Sequence, residues 1–225
     1  MNRSQFNIIA FSIINSLLGK KITNSLYSKR AIRTYKKNDV IFIHIPKAAG
    51  TSICCELYGR RNGHLKAAYI KDKIGKAFDE KYSFSVCRNP YERLYSSYKF
   101  ATQGHTKDGA IANASLYKNE KFKSFESFVK DWLIHQKLTN IDLVFQPQYN
   151  FVFDKENRLI VNDIYKLEEI EKLKKTLSIK LKRKITIDKK NVSNKIPQKN
   201  MYTSELKKIV YELYKNDFDL FGYEK

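Results

Sequence analysis

The chain has 225 residues, 43 of them lysine or arginine and 23 aspartate or glutamate, which gives a formal net charge of +20. This length predicts one domain with a substantial core, and the charge predicts an anionic partner such as a nucleotide, an acidic glycan, a membrane surface or a nucleic acid. The three cysteines, Cys54, Cys55 and Cys87, are not spaced as zinc ligands are, and their number is odd. They therefore exclude a zinc cluster and a disulfide framework and favour reduced thiols in a cytoplasmic protein.

The first 39 residues are expected to form an N-terminal amphipathic helix and basic linker, followed by a single domain over residues 40–225. Residues 6–18, FNIIAFSIINSLL, are too short and too polar to span a bilayer, and no small-x-small cleavage site follows them. Wound as a helix they have one apolar face, and basic residues follow as far as position 33. Residues 6–33 therefore predict either peripheral contact with the inner face of the membrane or packing on the domain itself.

Residues 40–52 read VIFIHIPKAAGTS and predict a buried strand, a tight loop and the start of a helix. This arrangement directs backbone N–H groups and the positive end of the helix dipole at one point, where an anion can bind. Lys47 adds a positive charge, Gly50 allows close approach of the backbone, and Thr51 and Ser52 offer hydroxyls and cap the helix. The spacing does not match the common ATP and GTP signature, and a plain strand-to-helix turn is the alternative.

Residues 82–98, YSFSVCRNPYERLYSSY, predict a second buried strand that ends at Arg88, followed by a helix with Pro90 in its first turn. Ser96 comes on the second to third turn of that helix. In a parallel sheet the ends of neighbouring strands share one crevice, so we expect Arg88 to face the same ligand as Lys47.

The remaining elements alternate between helices and strands, without internal repeats. Apolar spacing predicts helices over residues 121–136, 166–178 and 203–216, the last capped by Thr203, and a short strand over 158–165. The predicted fold class is α/β: a three-layer, P-loop-like fold with a mainly parallel central sheet flanked by helices.

In these two motifs the chain resembles the sulfotransferases that use 3′-phosphoadenosine 5′-phosphosulfate, in the branch of Golgi carbohydrate sulfotransferases and their bacterial relatives. The segment IHIPKAAGTS resembles the family's loop for the 5′-phosphosulfate, and CRNPYERLYSSY resembles its 3′-phosphate motif. The resemblance continues through NGHLKAAYI, QPQYNFVF, NDIYKLEEIEKL and the segment over residues 191–223. It implies that the donor is bound by Lys47, Ala48, Ala49, Gly50, Thr51, Ser52, Arg88, Ser96, Asn191 and Ser193.

The resemblance also implies how the reaction proceeds. Lys47 would neutralise the charge that grows on the leaving phosphate, and His64 matches the position of the catalytic histidine in glycan 2-O-sulfotransferases, where it acts as general base. His44 is expected to orient the site. The chemistry requires no metal, and the sequence has no metal-ligand cluster.

The expected acceptor is a hydroxyl of a surface polysaccharide or glycolipid. Gln146, Gln148, Arg60, Arg61 and Lys66 are the candidate glycan contacts, with a solvated-surface role as the alternative for each. Two departures from the family pattern leave the acceptor open. Val144-Phe145 replaces a histidine-aromatic pair ahead of QPQ, and Lys66 stands where related bacterial sequences tend to have threonine.

Two other functional classes remain open at this level. A phosphotransferase with a variant phosphate loop would use the same Lys47 and Arg88, but it would need acidic magnesium ligands beside the loop. A basic nucleic-acid-binding module would use the charge, yet the aromatic residues fall on apolar helix faces and do not alternate with basic residues on an exposed one. Nucleic acid is therefore not an expected partner.

Overall fold

The structure is a computed structural model that describes residues 25–106, 109–111, 114–187 and 201–225. The proposed membrane-surface helix over 6–18 and the candidate donor contacts Asn191 and Ser193 lie outside the described residues. Within them, no helix combines the length and the hydrophobicity needed to cross a membrane.

A three-stranded parallel sheet forms the centre of the fold. Its strands are β1 (Val40–Ile43), β2 (Tyr82–Cys87) and β5 (Asp163–Lys166), in the order β1-β2-β5. Val40 lies opposite Tyr82 and Phe84 lies opposite Asp163, so the carboxyl ends of all three strands meet at one edge. Two short antiparallel strands, β3 (His105–Thr106) and β4 (Gly109–Ala110), form a separate pair.

Eight helices of the described residues surround these strands. The first, α1, spans residues 25–37, inside the stretch assigned to the N-terminal segment, and its Ala31 and Tyr35 are buried in the core. The others are α2 (Gly50–Tyr58), α3 (Ala67–Ile74), α4 (Pro90–Gln103), α5 (Phe125–Ser127), α6 (Ile170–Leu181), α7 (Ser204–Leu213) and α8 (Lys215–Phe221).

Alternation along β1 creates the layers, because successive side chains of a strand point to opposite faces of the sheet. Ile41 and Ile43 belong to one apolar cluster with residues of α1 and α3, whereas Val40 and Phe42 belong to another with residues of α2 and α6. The sheet is therefore covered on both faces, and the predicted α/β class with a parallel sheet between helices is confirmed.

A third apolar cluster lies beside the sheet and is dominated by aromatic rings from α4, α5, α7 and α8 and the segments that connect them. Burying rings of this size contributes about 1.5–3 kcal/mol each relative to exposure. Its largest fully buried members include Phe128, Phe145, Tyr214 and Phe218.

The prediction of one continuous helix over residues 121–136 is wrong, because the segment is divided into shorter helical turns. The segment contains a 3-10 turn (Glu120–Phe122), then α5, a π-helical turn (Phe128–Trp132) and a second 3-10 turn (Leu133–His135). Ser124 interrupts it, because its extended backbone and its side chain, which accepts from the N–H of Ser127, start a new helix. Phe122, Phe125 and Val129 are nevertheless buried, as the periodicity predicts.

The other predicted elements shift at their ends. The strand predicted over 158–165 is the shorter β5, because Leu159 and Ile160 pair instead with Phe153 and Val152. Asp154 stabilises the turn between these residues by accepting from the N–H of Arg158. The helix predicted over 203–216 is α7. It begins after Thr203, whose hydroxyl accepts from Leu206 N–H as expected, but it ends at Leu213. Tyr214 breaks it with φ −116° while its buried hydroxyl donates to Phe145 O at 2.7 Å.

Candidate functional site

The loop after β1 carries the predicted lysine and glycine in an unusual backbone conformation. Lys47 has φ 68° and Ala49 has φ 59°, and both values lie in the left-handed region that few residues other than glycine adopt. Ala48 between them has no positive φ, and such alternation turns successive N–H groups toward one concavity that suits an anion. The concavity leads directly into the amino end of α2 at Gly50.

The helix cap at this loop differs from the prediction. The capping position of α2 is Ala49, which makes no side-chain capping bond, and Thr51 and Ser52 lie inside the first helical turn. The loop conformation places Gly50 at the first helical residue, so the hydroxyls come too late in the sequence to cap it. Both side chains are half-buried at the loop, where the hydroxyls can face a bound anion.

Position 50 has no room for a side chain, because His44, the residue that follows β1, lies directly against it. A Cβ built on Gly50 would lie 1.9 Å from Cδ2 and 2.3 Å from Nε2 of His44. The imidazole of His44 therefore packs directly on the glycine backbone, and it is almost fully buried. Burial, together with the nearby ring of His64, holds the pKa of His44 well below its ordinary value.

His64 lies against His44 with the two ring centroids 4.0 Å apart. Its Nδ1 is 3.1 Å from the backbone O of His44, and because a carbonyl only accepts, Nδ1 must be the protonated nitrogen. Nε2 then keeps its lone pair. Burial lowers the pKa of His64 to about 4, with further lowering from the charges of Arg93 and Lys47, so the ring is neutral at physiological pH.

The loop after β2 brings Arg88 to the same edge of the sheet. Its guanidinium is held by Glu92 one turn later, with Nη2 to Oε2 at 3.0 Å, and its Nη1 lies 3.5 Å from the backbone O of Lys47. Asn89 caps α4 by accepting from the N–H groups of Tyr91 and Glu92, and Pro90 follows in the first turn. The structure thus brings Arg88 and the Lys47 loop together, as predicted from the parallel strands.

Ser96 lies on α4, the helix that follows Arg88, and Lys47 contacts the same helix. Ser96 is half-buried on α4, four residues after Glu92 and therefore on the same face of the helix. The ammonium of Lys47 sits 4.6 Å from the ring centroid of Phe100, farther along the same helix. Ser97, in contrast, is fully buried and donates to Val144 O at 2.7 Å, which is a structural role.

Both loops are joined from the buried side by a polar frame that the sequence does not predict. Arg93 is 1% exposed and donates from Nε to Pro46 O at 3.0 Å and from Nη2 to Val144 O at 3.2 Å. Asp217 on α8 is fully buried and accepts from the N–H groups of Gln148 and Tyr149. The only sequence signal for either residue was a charge on the apolar face of a helix.

The predicted glycan contacts divide into two groups. Gln146 and Gln148 are 6% and 0% exposed and form hydrogen bonds with backbone groups of the protein, so the expectation that they contact a glycan is wrong. Arg60, Arg61 and Lys66 are half-buried on the connection between α2 and α3 that also carries His64. Among the described residues, no group of histidine, cysteine, aspartate and glutamate side chains has an arrangement that would hold a metal ion.

Two of the cysteines, Cys54 and Cys87, pack in the apolar clusters that cover the sheet. Cys54 and Cys87 are buried, and burial raises the pKa of each thiol to about 12. Cys55, the next residue after Cys54 on α2, is exposed.

Comparison with known proteins gives one finding. A family model described as Sulfotransferase family matches residues 30–224, a range that begins within α1 and includes both loops, His64 and α8. Neither the curated proteins nor the solved structures give a match.

Proposed function

Since the chain belongs to the sulfotransferase family, we propose that it transfers a sulfuryl group from 3′-phosphoadenosine 5′-phosphosulfate to a hydroxyl of a carbohydrate. The observation that carries this proposal is the junction of two anion-binding loops at neighbouring strand ends, where Arg88 Nη1 lies 3.5 Å from Lys47 O. A nucleotide with a charged group at each end of its ribose matches two such loops side by side.

The donor is bound by the two loops in separate roles. The backbone N–H groups of residues 47–52 and the hydroxyls of Thr51 and Ser52 hold the 5′-phosphosulfate at the amino end of α2. Arg88 and Ser96 hold the 3′-phosphate, with Arg88 exchanging part of its pairing with Glu92 for the phosphate. Both loops are fixed before the donor arrives, because Arg93 and Gln148 anchor them from the buried side.

Lys47 and His64 supply the chemistry. The acceptor oxygen forms a bond to sulfur while the bond from sulfur to the 5′-phosphate oxygen breaks, and adenosine 3′,5′-bisphosphate leaves. The Lys47 ammonium neutralises the charge that develops on that phosphate oxygen. The acceptor proton goes to Nε2 of His64, which is free because Nδ1 donates to His44 O. Negative charge on the bound donor raises the pKa of His64 and makes it a stronger base.

The surface beside His64 supports a carbohydrate as the proposed acceptor. Arg60, Arg61 and Lys66 give this surface a positive charge, and Tyr27 is 43% exposed with its ring against Gly63, one residue before His64. An aromatic face with a polar hydroxyl, flanked by basic groups, suits a sugar that carries negative charge nearby.

Ligand-dependent thermal stability tests the donor assignment. The protein is heated with adenosine 3′,5′-bisphosphate, with ATP and magnesium, or with a DNA oligomer. Binding to the folded state at about 100 times Kd stabilises by about 2.7 kcal/mol, so only the bisphosphate is expected to raise the melting temperature clearly. Stabilisation by ATP and magnesium alone would favour a phosphotransferase, and stabilisation by DNA alone would favour a nucleic-acid module.

Turnover with labelled donor and fractionated envelope glycans tests the roles of the residues. His64→Ala is expected to lower turnover by about 10²–10⁴-fold and leave bisphosphate binding unchanged. Lys47→Ala and Arg88→Ala are expected to weaken donor binding. His135→Ala is the matched control, because His135 is exposed on the 3-10 turn Leu133–His135. Equal turnover for His64→Ala and the control would remove the base from the proposal.

A further inference from the structure

Gln148 clamps the backbone of Arg88 from the buried side. Its Oε1 accepts from the Arg88 N–H at 3.0 Å and its Nε2 donates to the Arg88 O at 2.8 Å, so both backbone groups of the residue are fixed by one side chain. Gln148 is fully buried, which leaves its amide no alternative partner in solvent. The position of Arg88 therefore depends on where Gln148 is held.

Asp217 holds Gln148 in turn. One carboxylate oxygen accepts from the Gln148 N–H at 2.8 Å and the other from the Tyr149 N–H at 2.9 Å. Asp217 is fully buried on α8, 69 residues away in sequence from Gln148. A carboxylate buried in this way is costly unless its bonds are made, and charge-assisted bonds are about twice as strong as neutral ones.

From this chain of contacts we infer that the ionised carboxylate of Asp217 is a positioning group for donor binding, acting through Gln148 on Arg88. The inference rests on the proposed function, in which Arg88 binds the 3′-phosphate. Asp217 touches neither the donor nor the acceptor. Its loss is therefore expected to raise the Kd and KM for the donor and to leave kcat at saturating donor close to the wild-type value.

Three ionisable groups face Asp217: Arg93 from α4, Tyr214 from the junction of α7 and α8, and Cys87 from β2. Burial raises the pKa of Asp217 to about 6, although Arg93 and the two backbone N–H groups lower it. Because the folded pKa is above the ordinary 3.8, protonation between about pH 6 and 4 stabilises the folded state. The same protonation removes negative charge from the Asp217 carboxylate, which accepts from the N–H of Gln148. Protonation of Asp217 should thus add to fold stability while it lowers donor affinity.

A double-mutant cycle on the full chain tests the inference with adenosine 3′,5′-bisphosphate as the probe. Asp217→Asn is expected to raise its Kd about tenfold, equivalent to about 1.4 kcal/mol, and Gln148→Met at least as much. The double variant should bind no more weakly than Gln148→Met alone, since both changes interrupt one path. Asp219→Asn, an exposed acid on the same helix, is the matched control and should bind normally.

Each other outcome has a defined meaning. Wild-type affinity in Asp217→Asn, or effects that add in the double variant, would overturn the inference and leave the proposed function intact. If Asp217→Asn does not fold, Gln148→Met and the wild-type pH profile decide. Normal affinity in Gln148→Met, or a wild-type donor affinity that does not fall as the pH falls through 6, overturns the inference. Absence of bisphosphate binding by the wild type would instead refute the proposed function, and the inference with it.

Discussion

The loop after β1 and the loop after β2 stand at the same edge of the sheet but hold their conformations by different means. The first relies on its backbone: two residues with positive φ, a glycine under a histidine ring, and a helix start without a side-chain cap. The second relies on side chains: Asn89 caps α4, Glu92 orients Arg88, and Gln148 fixes its backbone. The conformation of the first loop should therefore tolerate loss of the Thr51 and Ser52 hydroxyls but not added volume, whereas the conformation of the second loop should depend on its side chains.

Added volume at Gly50 is expected to have the largest effect. Gly50→Ala places a Cβ against the ring of His44, which is itself confined by His64, so we expect a loss of about 2–3 kcal/mol in the free energy of unfolding. Urea denaturation measures this. Without the clash, alanine would stabilise a helix by about 1 kcal/mol relative to glycine. The sign of the stability change therefore shows whether the clash with His44 is present.

A second variant separates the clash from other effects of the alanine. In His44→Ala/Gly50→Ala the ring is gone, and the penalty of the Gly50 substitution should largely disappear. A Gly50→Ala protein that is as stable as the wild type would show that the first loop is less constrained than its contacts imply.

Acid should distinguish the two loops next, because only the first is packed on histidines. The pKa of His64 is lowered to about 4, so between pH 6.5 and 4 the unfolded chain binds a proton that the folded protein does not. This contribution to stability is complete above pH 6.5 and is lost as the pH falls. Between pH 7.5 and 5 the wild type is expected to lose about 1–2 kcal/mol more than His64→Gln.

The measurement is urea denaturation of both proteins at each pH. His135→Gln, which changes an exposed histidine, should lose as much stability as the wild type. Parallel curves for the wild type and His64→Gln would mean that His64 titrates normally in the folded protein.

The smallest effect concerns the two helix starts. Asn89→Ala removes the acceptor for two N–H groups of α4, and we expect a loss of about 1 kcal/mol. Thr51→Ala removes no capping bond and should change stability by less than about 0.5 kcal/mol. Thermal or urea unfolding of both variants gives the comparison directly. Equal losses would contradict the difference between the loops.

Local sequence patterns predicted the parts of the site that depend on local structure. The β-branched and aromatic run before Lys47 predicted β1, and the Asn89-Pro90 pair predicted the start of α4. Because parallel strands end at one edge, the meeting of Arg88 with the Lys47 loop also followed. Thr203 as the cap of α7 belongs to the same category.

The buried polar frame could not be predicted in the same way. Asp217, Gln148 and Arg93 come from three distant segments, and a polar residue in a single sequence is normally assigned to the surface. Only the folded chain shows that Asp217 accepts from the backbone N–H of Gln148 and that Arg93 donates to the backbone O of Pro46. The same limit applies to Tyr214, which ends α7 because of a bond to Phe145 that no local rule contains.

The difference in exposure between the neighbouring thiols Cys54 and Cys55 on α2 has a practical consequence for measuring ligand binding. Cys54 and Cys87 are buried with pKa values near 12, so neither forms thiolate at neutral pH, while Cys55 is exposed. The natural protein thus offers a single attachment point for a maleimide dye, five residues from the glycine at the loop. A fluorophore there would report movement of the helix on ligand arrival in real time, without any engineered cysteine.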